Sequence, residues 1–177
     1  MTLTDFGSNF TGHKATTYII FDGDKDYWAY ARMKGWKALE NIDFDFRDAH
    51  DLKTIRDTSP PDTVRRTLRQ RFSTAEQAIV LIGEETKHHH RFVRWEMEVA
   101  LGLDLPILAV NLNGLREMDE DLCPPILRRE YVVHIPFKLK IIKYALDNFP
   151  DFYHQGAPNA KGPLVYPDSL YRQLGLL

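Results

Sequence analysis

Short β-branched runs alternate with longer stretches in which apolar residues recur three or four positions apart, from Thr16 to about Phe149. That alternation predicts βαβ units building a mostly parallel sheet with helices on its faces. The first run is Thr16-Thr17-Tyr18-Ile19-Ile20-Phe21. It breaks at Asp22-Gly23-Asp24, and Asp26 then stands where a helix cap belongs, ahead of a stripe of Trp28, Ala31, Gly35 and Leu39. Gly35 in that stripe predicts a close approach of the helix to the sheet. Ile42, Phe44 and Phe46 alternate with Asp43 and Asp45, as in a second strand with one acidic face.

Residues 47–58 mix charge and polarity without a period and read as a long loop, a class of segment that tends to carry function. Ser59-Pro60-Pro61-Asp62 opens a helix, with Ser59 as N-cap, proline in the first turn and Asp62 against the positive end of the dipole. Val64, Leu68 and Phe72 form its buried stripe. Residues 78–82, apolar throughout and ended by Gly83, predict a central strand covered on both faces. A helix over residues 89–103 follows, with Phe92, Trp95, Val99 and Leu103 on one side. Residues 106–110 and 131–135 supply the fourth and fifth strands, and Leu139, Ile142, Leu146 and Phe149 mark a closing helix, the fourth.

From Pro150 the pattern dissolves into Gly156, Pro158, Gly162, Pro163 and Pro167. Phe152, Tyr153, Tyr166 and Tyr171 are nevertheless too aromatic for a solvated tail, so residues 150–177 are expected to dock on a domain formed by residues 16–149, with 1–15 as an N-terminal extension.

A length of 177 residues suits one such domain, and 44% hydrophobic with 27% charged residues is ordinary globular composition. Net charge of −2 and a pI near 6.4 leave no field that would draw the protein to nucleic acid or an anionic membrane. No apolar run approaches the roughly 20 residues of a membrane helix. Neither nucleic acid nor membrane is therefore expected as a partner. Cys123, the only cysteine, cannot form an internal disulfide, and the opening MTLTDFGSNF lacks the basic and apolar regions of a secretion signal, so a cytoplasmic location is expected.

In an open parallel sheet the ligand crevice lies beyond the carboxyl ends of the strands, near the point where strand order reverses. Residues 21–24, 47–51, 83–86 and 111–114 would line it, and the helix after the third strand brings Glu96 back toward the same rim. Glu96 follows Trp95 and lies four residues after Phe92, which sets a carboxylate beside a bulky apolar stripe. Spacing alone leaves open an ordinary helix carboxylate paired with Arg94 or Arg91.

Ile19-Ile20-Phe21-Asp22-Gly23-Asp24, Phe46-Arg47-Asp48-Ala49-His50, Val80-Leu81-Ile82-Gly83-Glu84-Glu85-Thr86, Phe92-Val93-Arg94-Trp95-Glu96 and the stretch 106–114 occur in order, each at a strand end or a helix start. Together they resemble the TIR-like proteins of Thoeris antiphage defence, over about residues 16–148. The resemblance implies an α/β, flavodoxin-like three-layer sandwich with a five-stranded sheet of order 2-1-3-4-5. It also implies an active site that cleaves NAD as substrate, with no other cofactor, and a nucleotide messenger as product. The family's catalytic glutamate, four residues after an aromatic in the helix following the third strand, falls on Glu96, with Phe92 where tryptophan is more usual. Residues 47–58 would match the family's BB loop, which often mediates self-association. A downstream effector protein, reached through the messenger, and a phage-derived trigger are the implied partners.

The implied chemistry is physically sound. Nicotinamide leaves NAD as a neutral base from a cationic pyridinium, so no general acid is required, and one fixed carboxylate can stabilise the oxocarbenium-like ribose as the bond opens. Phe21 and Trp95 are candidates to stack on or wall off the planar rings. Asp22, Asp48, His50 and Glu84 are candidates to line the substrate, and Arg47 or Lys87 to hold its pyrophosphate. The cyclic or conjugated form of the ADP-ribose product depends on what traps the cation, which leaves no motif.

Three other features are weaker. His88-His89-His90 cannot all face one ion and no second ligand pair has metal spacing, so no metal site is expected. Arg65, Arg66, Arg69 and Arg71 read as a solvated helix face. A phosphorelay receiver would end its third strand in aspartate, where this chain has Gly83-Glu84. The competing reading, from another functional class, is a non-enzymatic TIR-type interaction module in which Glu96 is a surface carboxylate.

Overall fold

Ile19, Ile79 and Leu108 lie side by side on three neighbouring strands, all fully buried, because strands apolar on both faces are stable only when helices cover both sides. The computed structural model describes residues 16–39, 45–48, 60–87, 91–156 and 162–177. Its strands are β1 (Thr16–Ile20), β2 (Asp45–Asp48), β3 (Gln77–Ile82), β4 (Ile107–Asn111), β5 (Val133–Pro136) and β6 (Leu164–Val165). They are ordered β2-β1-β3-β4-β5-β6 with every pairing parallel. The helices are α1 (Tyr27–Leu39), α2 (Pro61–Phe72), α3 (Arg91–Gly102), α4 (Leu139–Gly156) and α5 (Asp168–Gln173). This is the expected α/β sandwich of order 2-1-3-4-5, extended by a sixth strand.

Alternation along the strands divides the core into two layers. Ile19, Phe21, Ile79 and Leu81 face α1, α4 and α5, meeting Met33, Ile142, Phe149, Leu170 and Tyr171. Tyr18, Ile20, Val80 and Ile82 face α2 and α3, meeting Val64, Leu68, Phe72 and Trp95. Val64, Leu68 and Phe72 are the expected stripe of α2, and burying each removes enough apolar surface to contribute about 1.5–3 kcal/mol.

Several expectations require correction. The buried face of α1 is Ala29, Tyr30 and Met33, while Trp28 is half exposed, Ala31 is exposed and a Cβ at Gly35 would meet nothing within 4 Å. A helix over a sheet can be rotated by one residue without losing its 3.6 periodicity, and Tyr30 wins because it stacks on Phe21 at 4.8 Å. The second strand is Asp45–Asp48, so Arg47 and Asp48 belong to the sheet, in register with Tyr18 and Ile19. Ile42, Phe44, Ser59 and most of the 47–58 loop lie outside the described residues. Pro60, one residue later than expected, holds the N-cap position of α2 with no side-chain cap, and Pro61 is the first helical residue.

At its far end α3 stops at Gly102, leaving Leu103 40% exposed instead of on the buried face. The fourth and fifth strands lie one to two residues later than expected, at Ile107–Asn111 and Val133–Pro136. The closing helix runs through Pro150 to Gly156, because Phe149, Phe152 and Tyr153 all pack around Tyr131 and outweigh the missing N–H. Beyond it, β6 adds to the open edge of β5, and Leu164, Tyr166, Leu170 and Tyr171 complete one core layer.

Candidate active site

The chain leaves β1 toward β2 on one side and pairs it with β3 on the other, so the loops after β1 and β3 flank the reversal of strand order. Asp22, 4% exposed, follows Phe21 there. Its Oδ1 accepts the backbone N–H of Asp24 at 2.9 Å and of Lys25 at 3.4 Å, and its carbonyl accepts that of Asp26 at 2.8 Å. The sequence Asp-Gly-Asp thus makes a side-chain-closed turn that launches α1. Asp26 holds the expected N-cap position, its carbonyl accepting the Ala29 N–H at 2.9 Å, but its carboxylate also reaches the other loop. Asp26 Oδ2 lies 3.2 Å from Thr86 Oγ1, which accepts the Gly83 N–H at 2.8 Å and is 3.3 Å from the Leu81 carbonyl.

Glu96 is carried by α3 and is 4% exposed. Of the two arginines that could pair with it, Arg94 turns elsewhere: Arg94 Nε donates to Glu98 Oε1 at 3.0 Å and Arg65 donates to Glu98 Oε2 at 3.2 Å, while the Arg91 side chain lies outside what the structure describes. Arg65 therefore leaves the solvated face predicted for it and ties α2 to α3, with its guanidinium 5.2 Å from the Trp95 ring centroid. Glu98 takes the surface charge pairing, and Glu96 is left buried in the helix flank with polar or electrostatic contacts of its own. A buried carboxylate requires such contacts, since desolvating it unaided is costly.

The remaining candidates are distributed as follows. Phe21 is fully buried in the α1 layer, whereas Trp95, 7% exposed and edge-on to Phe92 at 5.7 Å, belongs to the α2–α3 layer, so the two do not form facing walls of one slot. Glu84 is exposed on the rim and Lys87 is half-buried. Asp48 ends β2, and His50 lies outside the described residues. At the end of β4 the buried Asn111 organises the loop that follows: its Nδ2 donates to the Leu115 and Glu117 carbonyls at 3.0 and 2.8 Å. Asp119 caps the turn at Leu122 and Asp121, and the Leu122 N–H above all holds its carboxyl below the usual range.

Sequence reasoning missed the Asp26, Thr86 and Gly83 contact and the sharing of Glu98 between Arg65 and Arg94. A glycine directly after a fully apolar strand was the signal for the first, since it leaves room for a neighbouring group, but nothing in the pattern names Asp26 as that neighbour. Among the described residues no three His, Cys, Asp or Glu side chains are grouped to hold a metal, and His88, His89 and His90 lie outside them. No helix among the described residues is long and apolar enough to cross a membrane.

A protein-family model described as Thoeris protein ThsB, TIR-like domain, matches residues 18–117, more than half of the chain. The match includes both loops at the strand reversal and all of α3 with Glu96. Comparison with curated proteins finds no match.

Proposed function

Because the chain belongs to the family of Thoeris ThsB TIR-like domains, we propose that it is an NAD-consuming enzyme that breaks the nicotinamide–ribose bond, with Glu96 as the catalytic carboxylate. The observation that carries this reading is that Glu96 is buried on the helix after the third strand while its neighbour Glu98, nearer the surface, takes Arg65 and Arg94. A carboxylate whose only role was a surface ion pair would stand where Glu98 does.

In the proposed reaction the C–N bond of the nicotinamide riboside breaks and its electron pair returns to the pyridinium nitrogen, releasing neutral nicotinamide. Glu96 stabilises the positive charge that develops on the ribose carbon, and in a site of low dielectric it does so more strongly than water would. Attack by water then gives ADP-ribose and a proton. Attack by a nucleophile within the substrate, or by a second molecule, gives a cyclic or conjugated ADP-ribose that serves as the signal in antiphage defence. NAD is the substrate and no further cofactor is required. A downstream effector protein would read the product in the cytoplasm, and self-association or a phage-derived trigger would set the enzyme's activity.

The test is nicotinamide release from NAD by the full chain beside Glu96→Gln. A fall of about 10²–10³ in rate is expected, as for removal of a preorganised electrostatic group. Equal rates in the two proteins remove Glu96 from the mechanism and favour the non-enzymatic interaction module.

A further inference from the structure

We infer that Thr86 is a positioning residue whose hydroxyl, with Asp26 and Gly83, latches together the two loops flanking the strand reversal and so fixes the geometry in which Glu96 acts. The inference rests on the reading of Glu96 as the reacting carboxylate.

The latch is built from groups that have no reason to meet on secondary-structure grounds alone. Asp26 precedes α1 and Thr86 follows β3, sixty residues apart, yet the two residues are 4% and 1% exposed and their side-chain oxygens lie 3.2 Å apart. Thr86 Oγ1 accepts the N–H of Gly83 and offers its one proton to Asp26 Oδ2 or the Leu81 carbonyl, so a single hydroxyl joins the last turn of β3 to the start of α1. The carboxylate is also seated against the Gly83 backbone: a Cβ at Gly83 would lie 2.6 Å from Asp26 Oδ2 and closer still to Oδ1. Only glycine leaves that space, and no left-handed backbone angle is involved, so the requirement is for room.

An N-cap aspartate needs only its own helix N–H groups, and turning it to a second loop has a further effect. On the β1 side, the turn that holds Asp22 ends in the Asp26 N–H. On the β3 side, Thr86 stands five residues before α3, the helix that carries Glu96. Loosening the latch lets both sides of the site drift, and a displacement of about 1 Å at a reacting group is enough to cost about 10²-fold in rate.

The decisive substitution is Thr86→Val, which keeps the shape and removes the hydroxyl, with Thr86→Ser as the conservative rescue. With the full chain and NAD, Thr86→Val is expected to lower kcat for nicotinamide release by about 10–100-fold while KM stays within about threefold, and Thr86→Ser to return kcat to within about threefold of wild type. Hydrogen exchange at the amides of residues 23–30 and 83–87 should quicken in Thr86→Val and recover in Thr86→Ser, a readout that does not depend on turnover. Unchanged exchange in Thr86→Val, or serine as impaired as valine, overturns the latch. If Glu96→Gln is inactive while Thr86→Val turns over like wild type, the latch alone falls. If Glu96→Gln keeps full activity, the reading of Glu96 falls and the positioning role of Thr86 falls with it.

Discussion

The two halves of the sheet bury different kinds of polar group. Around β1 and β3 the buried polar side chains include the carboxylates Asp22, Asp26 and Glu96 and the hydroxyl of Thr86, and each has hydrogen-bonding or electrostatic contacts. In β5, between β4 and β6, His134 is fully buried with neither ring nitrogen hydrogen-bonded, and the nearby tail buries the Tyr171 hydroxyl in the same way. A buried carboxyl group needs hydrogen-bonding or charged partners to offset its lost hydration, and an imidazole that lacks them sheds its proton and sits neutral among apolar atoms. Burial pushes the His134 imidazole down to about 4. The half of the fold that buries these carboxyl groups is also the half that the family match covers and that flanks the strand reversal. Function and stability are therefore expected to separate along the sheet.

Glu96→Gln tests that separation most severely. A rate loss of 10²–10³ corresponds to about 3–4 kcal/mol of barrier, and melting should change far less, since glutamine keeps the shape and remains polar. A variant that melts many degrees lower with its activity intact reverses the assignment and makes Glu96 a structural residue. Thr86→Val comes next, its expected loss of kcat lying one step smaller on the same side of the sheet.

The alternation of strands and helices and the α2–α3 layer were legible because continuous apolar runs such as residues 78–82 have few alternatives, and Val64, Leu68 and Phe72 repeat without competition, whereas the sheet order came only from the family resemblance. The face of α1 was not. Trp28 and Tyr30 are both large aromatics on one helix, and only the tertiary partner Phe21 decides which turns inward. The tail strand was illegible for the opposite reason: two residues, Leu164 and Val165, carry no period, and they form a strand because β5 leaves an open edge beside them. At the site, Glu96 could be singled out by its aromatic neighbours, but which glutamate Arg94 and Arg65 would choose depends on how α2 lies against α3. The Asp26 and Thr86 pair joins loops sixty residues apart and left no local mark.

His134 sharpens the comparison from the other half. The folded group stays neutral to about pH 4, while the unfolded chain takes up a proton below its ordinary value of 6.5. The unfolded state therefore binds more protons between these values. Stability is full above about pH 6.5 and is lost as pH falls toward 4. Integrating that difference gives a loss of roughly 2 kcal/mol between pH 7.5 and pH 5. Urea unfolding at the two pH values should show it, and His134→Leu, which fills the site with apolar atoms, should abolish it. The carboxyls of Asp119 and Asp168 are held below their usual range, Asp119 first by the Leu122 N–H and Asp168 first by Arg116, so their contributions fade only at lower pH. A slope between pH 7.5 and 5 that survives in His134→Leu would place the acid-sensitive group elsewhere, and the contrast between the halves would lose its neutral member.

The smallest expected effect lies where the tail meets the loop after β4. Arg116 pairs with Asp168 at the start of α5 and sets its guanidinium 4.3 Å from the Tyr171 ring centroid. The ion pair is half exposed and weakened by salt, so the attachment depends more on the stacked contact. A cation over an aromatic face at such a site is worth about 0.5–1 kcal/mol. Arg116→Ala should therefore lower the melting temperature by about 2–4 °C or less, and quicken hydrogen exchange in β6 and α5 without altering nicotinamide release. Arg116→Lys should recover the charge but little of the stability, because a lysine ammonium cannot lie flat on the ring. If Arg116→Ala instead changed the rate of NAD cleavage, the tail would be coupled to Glu96 across the whole sheet, and the two halves could no longer be treated as separate.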